Sequence, residues 1–212
     1  MQPRIWGPPT WRVLHSLAHL AQSSRSHRLI KCFYDLTFQL KDVLPCSLCR
    51  ESVQGFHARA FALHGRDPMA FMHTLHNMVN DKLGKGPGPS MDTLQATMAV
   101  YAYGKQMYAS TSDVWIMLFV FGACADALPS HTSECTLRHV AFQDFVNTLS
   151  ALMAGTRVPE FAAIAAVLQQ QFHHRNGYTP LACESLARAA KTTTCADLKR
   201  LAKVARVRAP SK

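Results

Sequence analysis

The sequence lacks the features that would place it in a membrane, a secretory pathway or a sheet-based fold. Its first residues carry no basic start followed by an apolar run, so we expect no secretory signal. The longest apolar run, from Val114 to Ala125, is too short to cross a bilayer and suits a buried helix. No stretch alternates apolar and polar residues with a period of two, which argues against strands. We therefore expect a soluble, helical protein that does not bind a membrane.

The composition is that of a globular protein with a basic surplus. Hydrophobic residues make up 48% of the 212 residues and charged residues 17%, enough for a sizeable core. The formal net charge is +10. Much of the surplus lies late in the chain, at Lys199, Arg200, Lys203, Arg206, Arg208 and Lys212. Because no aromatic residues are interleaved there as stacking platforms, we interpret this segment as a solvated helix face and expect no nucleic-acid binding.

Apolar residues recur at helical spacing along nearly the whole chain. The first stripe consists of Trp11, Leu14, Leu17, Ala18 and Ala21, and similar stripes follow over 29–40, 56–63 and 71–83. Between Gly84 and Pro89, three Gly and two Pro in six residues cannot continue a helix. We predict an all-α fold with a four-helix unit over residues 1–88 and a second helical region over 89–212. Helices in that second region are expected near 91–109, 113–127, 135–154, 158–174, 180–190 and 194–206.

The seven cysteines are an odd number, so at least one thiol is unpaired within the chain. Cys46 and Cys49 form the only Cys-x-x-Cys pair. A structural zinc site needs four ligands, and the histidines nearest to this pair do not supply a clear second pair, although a zinc-binding interaction module remains an alternative. A disulfide that closes so short a loop would constrain little.

The local sequence favours redox chemistry at this pair. Pro45 precedes Cys46 and an amphipathic run follows Cys49, which places both sulfurs in the first turn of a helix. The positive end of a helix stabilises a thiolate, the reactive form of cysteine, and Arg50 adds positive charge nearby. We therefore expect a reactive thiol pair, whose electron acceptor is to be sought elsewhere in the chain.

Two further stretches, together with the Cys pair, resemble a known family. The first runs from Gly7 through Trp11 to His15, and the second, His-Asn-Met-Val-Asn-Asp-Lys-Leu, runs from His76 to Leu83. In this order and spacing, the three motifs are similar to those of the Erv/ALR family of FAD-linked sulfhydryl oxidases. The resemblance covers roughly residues 5–88 and implies a compact four-helix bundle that binds FAD.

The resemblance implies a set of cofactor-binding residues. They are Gly7, Thr10, Trp11, His15, His76, Asn77, Val79, Asn80, Lys82 and Lys85. The two lysines would suit the anionic pyrophosphate of FAD. Because the family holds its flavin in a helical bundle, the absence of a Gly-x-Gly-x-x-Gly turn is no objection.

The implied activity is the oxidation of dithiols in protein substrates. Cys46 would exchange disulfides with the substrate, and Cys49 would pass electrons to FAD and then to O₂, giving H₂O₂. Family members commonly form two-fold dimers through the N-terminal helices, so the resemblance implies a homodimer. An Erv-like scaffold that has lost activity and serves as a binding protein is a further alternative.

The sequence departs from the family after the third motif. Cellular members often carry a Phe-Asp-Cys there, whose cysteine forms a structural disulfide, whereas residues 86–90 contain no cysteine. We expect the second region to brace the bundle in place of that crosslink. The Trp-Gly-Pro opening is similar to versions carried by large DNA viruses, for which the host cytoplasm and the virion would be the expected locations.

Four of the remaining cysteines form two candidate pairs. Cys124 and Cys135 flank a turn between two expected helices, and Cys183 and Cys195 lie near the C-terminus, where a mobile tail would suit a shuttle. Each pair is a candidate structural or shuttle disulfide, and buried thiols are the alternative for both. Cys32 is expected to be buried and inert.

Overall fold

The computed structural model describes residues 3–103, 109–127, 132–156 and 158–172, which form eight α-helices and no strand. The helices are α1 (Pro3–Ser24), α2 (His27–Val43), α3 (Ser47–His64), α4 (Pro68–Lys82), α5 (Met91–Tyr103), α6 (Thr111–Asp126), α7 (Ser133–Gly155) and α8 (Pro159–Phe172). The expected all-α fold is thus confirmed. The basic C-terminal segment and the helices expected near 180–190 and 194–206 lie outside the described residues.

Capping side chains define where several helices begin. At the start of α2 the hydroxyl of Ser26 accepts the Leu29 N–H, and at the start of α4 Asp67 accepts the Ala70 N–H. At the start of α6, Ser110 and Asp113 bond each other's backbone N–H groups in a reciprocal capping box. These bonds satisfy N–H groups that the first turn of a helix leaves unpaired.

Helices α1 to α4 form a four-helix bundle in which α1 and α3 lie at diagonal corners. Each of these two helices packs against both α2 and α4. The interior includes the fully buried side chains Leu14, Leu17, Phe33, Leu36, Phe71 and Leu75. The Met69 N–H donates to Gln22 Oε1 at 3.0 Å and so joins the end of α1 to the start of α4. The start of α1, the start of α3 and the end of α4 consequently share one end of the bundle.

Helices α6 and α7 cover the outer faces of α1 and α2. Helix α6 packs against α1, and α7 packs against α2 and α8. The Ala109 N–H donates to Ser16 Oγ at 3.0 Å, and Gln39 Nε2 donates to Thr148 Oγ1 at 3.1 Å. A single buried cluster extends from the bundle through α6, α7 and α8. The C-terminal helices therefore brace the bundle directly, and none of the described helices is long and apolar enough to cross a membrane.

Two leucines of the sequence stripes do not point into the core. Leu63 lies in the last turn of α3 and Leu83 caps the end of α4, and both are more than half exposed. Their periodicity matches the buried positions of the same helices, but a side chain at a helix end lies at the rim of the bundle. Helical spacing alone could not distinguish such positions from core positions.

The ion pair between α1 and α6 leads to a prediction about stability. Asp113 is buried and accepts hydrogen bonds from Arg12 Nε at 3.1 Å and from the Ser110 N–H at 2.8 Å. Burial acts to raise the pKa of Asp113, but the bonds from Arg12 and Ser110 outweigh it and hold the pKa below its ordinary value. We expect Asp113→Asn to lower the free energy of unfolding by about 1–3 kcal/mol at neutral pH, measured by urea denaturation.

The same pair sets the direction of the pH dependence. A carboxyl whose pKa is depressed in the folded state contributes stability above its unfolded pKa, and the contribution is lost as pH falls through the folded pKa. The difference in free energy of unfolding between the wild-type protein and Asp113→Asn should therefore become smaller in acid. Asp92→Asn, at an exposed position in the first turn of α5, is the matched control. An equal effect of the two substitutions at neutral pH would show that the ion pair does not stabilise the protein.

Candidate functional site

Cys46 and Cys49 lie at the start of α3, at the end of the bundle described above. Cys46 is the N-cap residue, and its sulfur accepts the Cys49 N–H at 3.3 Å. The side chains of both cysteines are half-buried. This confirms that both sulfurs lie at the first turn of a helix, and it shows that only the Cys46 sulfur takes the capping position.

The two sulfurs differ in their surroundings. Burial, followed by the hydrogen bond and the charge of Cys46, raises the pKa of Cys49 to about 12. Lys82 and Arg50 act in the opposite direction but do not outweigh these effects. The sequence-based expectation of a stabilised thiolate is therefore wrong for Cys49 in the reduced pair. The reason is that desolvation and a neighbouring sulfur oppose the helix end.

Lys82 connects the end of α4 to the first turns of α3. Its Nζ donates to the Leu48 carbonyl at 3.3 Å and also to the Ser52 hydroxyl. Just beyond, Gly84 has a φ of +64°, and the Lys85 N–H donates to the Asn80 carbonyl at 2.9 Å. This turn ends α4 and leaves both lysines exposed at the same end of the bundle as the cysteines.

An aromatic cluster joins α1 to α4. The rings of Trp11 and His76 are stacked, with centroids 3.9 Å apart and an interplanar angle of 11°. His15 Nε2 lies 3.0 Å from His76 Nδ1, within hydrogen-bond distance. Although Trp11 and His15 share a helical face, their rings are 6.3 Å apart and tilted, so Trp11 stacks on α4 and not on its own helix. The structure thus brings together residues of two motifs that are far apart in sequence.

Burial keeps both histidines of this cluster uncharged at neutral pH. The pKa of His15 is lowered to about 3, first by burial and then by His76 and His73. The pKa of His76 is lowered to about 4, again first by burial and then by His73 and Lys85. Two neutral imidazoles can share one hydrogen bond, with one ring donating and the other accepting. The cluster therefore carries no net charge.

Several of the predicted cofactor residues form bonds within the chain. The Thr10 hydroxyl donates to the Trp6 carbonyl at 2.7 Å inside α1. The Asn77 Oδ1 accepts the Gly88 N–H at 3.0 Å and so holds the loop after α4 against the helix. The others differ in burial: Asn80 is buried, and Gly7 and Val79 are half-buried. Thr10 and Asn77 thus have structural partners that the motifs alone did not indicate.

Sequence reasoning missed several residues around the site. His73 Nε2 lies 3.0 Å from the Pro89 carbonyl and helps to fix the loop after α4. Ser52 and Leu48 receive the Lys82 amine. His73 and Ser52 belong to no motif, and Leu48 fills a variable position of the Cys-x-x-Cys pair, so no local signal could have found them. Asp113 is different, because the Ser-x-x-Asp pattern that starts at Ser110 is a capping signal.

The structure does not join Cys124 to Cys135. Cys124 carries a thiol in the last turns of α6, and Cys135 lies in the first turn of α7. The Cys135 sulfur instead lies 3.5 Å from Nδ1 of His139, one turn along the same helix. The Cys135 side chain is buried beside His139, and the candidate crosslink to Cys124 stays a prediction. The other candidate pair, Cys183 and Cys195, lies outside the described residues.

Cys32 behaves as a structural residue. Its thiol donates a weak hydrogen bond to the Thr148 carbonyl of α7 at 3.5 Å. Burial, as the main cause, raises its pKa. Both observations fit the expected inert role, although the side chain is half-buried and not fully buried.

The aromatic cluster and the two lysines at the end of α4 fit a large planar cofactor with an anionic part. The Trp11–His76 stack offers an uncharged ring surface, and His15 Nδ1 is buried without a hydrogen-bond partner among the described residues. A buried polar atom of this kind is costly unless a ligand or water pairs with it. Lys82 and Lys85 supply positive charge nearby. No group of His, Cys, Asp and Glu in the described ranges could hold a metal ion.

The described residues thus form a helical bundle with a Cys-x-x-Cys pair at the start of α3 and a neutral aromatic cluster between α1 and α4. Residues 8–99 match the model of the Erv1 / Alr family, so this segment is similar to that family. The match includes α2 to α4, the second and third sequence motifs, and the first motif except Gly7, and it ends within α5. A search of curated proteins and a search of solved structures found no match to this chain.

The neutral histidines predict an acid-sensitive fold. An unfolded histidine binds a proton near its ordinary pKa of 6.5, whereas folded His15 and His76 resist protonation until about pH 3 and 4. The unfolded state therefore binds more protons in this window, so the free energy of unfolding should fall as the pH drops from about 6.5 toward 4. Each histidine contributes a slope of up to about 1.4 kcal/mol per pH unit.

The variant His15→Gln removes one of these two titrating groups. We expect its free energy of unfolding, measured by urea denaturation, to decline less steeply between pH 6.5 and 4 than that of the wild-type protein. His27→Gln, at an exposed position at the start of α2, is the control and should keep the wild-type slope. Equal slopes in all three proteins would contradict the burial argument.

Proposed function

We propose that this chain is an FAD-dependent thiol oxidase that forms disulfides in protein substrates. The observation that carries the proposal is the arrangement of one end of the bundle. There the Cys46–Cys49 pair begins α3 and Lys82 of α4 bonds to the same turns, and further along α1 and α4 Trp11 stacks on His76. The match of residues 8–99 to the Erv1 / Alr family supports the same chemistry.

The aromatic cluster and the end of α4 would hold the cofactor. Trp11 and His76 offer the ring surface, and His15 offers its unpaired nitrogen. Lys82 and Lys85 would balance the charge of the phosphates. When bound, FAD would supply the capacity to accept two electrons and to transfer them to O₂, giving H₂O₂.

The exchange begins at Cys46. A substrate thiolate attacks the Cys46 sulfur of the Cys46–Cys49 disulfide, so that a substrate–Cys46 bond forms and the bond to Cys49 breaks. The electron pair of the broken bond stays on Cys49. In this mixed disulfide Cys46 carries no negative charge, so one cause of the raised pKa of Cys49 is removed, while Lys82 and Arg50 still favour its thiolate.

A second substrate thiolate completes the exchange. It attacks the substrate sulfur of the mixed disulfide, and Cys46 leaves with the electron pair. The substrate departs with a new disulfide, and Cys46 and Cys49 hold the two electrons and take up two protons. We assign Cys49 to electron delivery because its charge is coupled to Lys82, which belongs to the segment proposed to hold the cofactor.

We further propose that the chain works as a monomer and not as the two-fold dimer that the resemblance implies. Such a dimer would associate through the N-terminal helices. Helix α6 packs on α1, and Arg12 of α1 donates a hydrogen bond to Asp113 of α6. Helix α7 packs on α2, and Gln39 of α2 donates a hydrogen bond to Thr148 of α7. A partner chain could reach the outer faces of α1 and α2 only if the chain's own helices moved away.

The redox proposal predicts the behaviour of cysteine variants. The purified protein should be yellow, with an absorption band at about 450 nm, and should consume O₂ in the presence of dithiothreitol. Cys49→Ala should abolish turnover and retain the flavin, because the sulfur is needed for electron transfer and not for the ring contacts. Cys32→Ser, which preserves a donor toward the Thr148 carbonyl, is the matched control and should remain active.

Three outcomes would favour other functions. Colourless protein that contains zinc would indicate an interaction module. Yellow protein that consumes no O₂ with dithiothreitol would indicate a binding protein on an inactive scaffold. Turnover that survives Cys49→Ala would contradict the role assigned to this residue.

The proposal of a monomer is tested by light scattering coupled to size-exclusion chromatography. We expect a mass near 23.5 kDa across a wide range of protein concentrations, because the faces available for the family's dimer are already covered. A mass near twice that value would contradict the proposal. A chain that dimerises only after Asp113→Ala would indicate that α6 blocks the interface.

A further inference from the structure

Leu48 lies between the two redox cysteines and is largely exposed. Its side chain is 64% exposed in the first turn of α3. A single exposed leucine is ordinary on a protein surface and needs no explanation by itself. This one is distinguished by its position, because it is one of the two residues that separate the sulfurs at which exchange is proposed.

The chemistry of exchange determines what must lie over Leu48. In a mixed disulfide the two bonded sulfurs are about 2 Å apart, and the two Cα atoms are about 5.5–6 Å apart. The Cα atom of the substrate cysteine must therefore lie within about 6 Å of the Cys46 Cα atom. Since consecutive Cα atoms are about 3.8 Å apart, the residues beside the substrate cysteine come within side-chain reach of Ser47 and Leu48.

The backbone that carries Leu48 is anchored to α4. Its carbonyl accepts a bond from Lys82 Nζ at 3.3 Å, and the same amine bonds to Ser52 one turn further along α3. Leu83, the residue after Lys82, is 52% exposed and caps the end of α4. Two large apolar side chains are thus presented to solvent at the end of the bundle that carries the cysteines.

We propose that Leu48 and Leu83 bind apolar residues that flank the reactive cysteine of the substrate. The occupant of this surface is a segment of the protein whose thiols are being oxidised, because the transient bond to Cys46 holds it there. The substrate class is then protein thiols with apolar neighbours in extended, accessible segments. This inference rests on the thiol oxidase activity proposed above.

The test compares two reduced peptides with two cysteines each, one with leucine beside each cysteine and one with serine. The wild-type protein should oxidise the leucine peptide with the higher kcat/KM. In Leu48→Ser we expect this preference to fall by about tenfold, the size of effect that losing part of one apolar contact produces. Leu83→Ser should lower it by a smaller factor, because Leu83 is not between the sulfurs.

The matched control lies on the same helix. Leu63 is 66% exposed but lies in the last turn of α3, at the opposite end from the cysteines. Leu63→Ser should keep the wild-type preference. If Leu48→Ser and Leu83→Ser also keep it, the apolar surface does not bind the substrate.

Oxygen uptake with dithiothreitol separates this inference from the proposed function. If the wild-type protein does not oxidise dithiothreitol, the thiol oxidase activity itself is absent. If it does, and Leu48→Ser oxidises dithiothreitol and both peptides more slowly by the same factor, Leu48 supports the cysteine pair and does not select the substrate. Only a change in the ratio between the two peptides supports the inference.

Discussion

The stack of Trp11 on His76 is the contact on which the rest of the site depends. It joins the first and the last helix of the four-helix bundle, and its histidine lies within hydrogen-bond distance of His15. Burial makes a charged imidazole costly here, so both rings remain neutral and can share one hydrogen bond. A charge on either ring would face the other histidine and His73. Burial thus determines the protonation state of both rings.

Lys82 links the end of α4 to the turns of α3 that carry the cysteine pair. Its amine reaches the first turns of α3, where the Cys46 sulfur caps the helix and Cys49 lies within its electrostatic influence. The two sulfurs differ because of their positions. The Cys46 sulfur caps the helix, whereas burial is the main cause that raises the pKa of Cys49. In the proposed mechanism, Cys46 exchanges with the substrate and Cys49 delivers electrons to the cofactor.

The C-terminal helices stabilise the four-helix bundle from outside. The loop after α4 contains no cysteine that could crosslink it. The Gly88 N–H donates to Asn77 Oδ1 and the Pro89 carbonyl accepts from His73 Nε2, and both bonds hold the loop against α4. On the other side of the bundle, α6 is tied to α1 through Asp113, and α7 is packed along α2. This packing of α6 on α1 and of α7 on α2 supports the bundle and is also the basis of the proposed monomer.

The sequence by itself determined the helical class, the position of the cysteines at a helix start and the family, because periodicity, caps and ordered motifs are local properties. It could not determine that Trp11 stacks on His76, that Lys82 bonds to α3 or that burial raises the pKa of Cys49. Those features require helices distant in sequence to lie side by side. Leu63 and Leu83 match the stripe of a core yet face solvent, since only packing decides which apolar positions are covered.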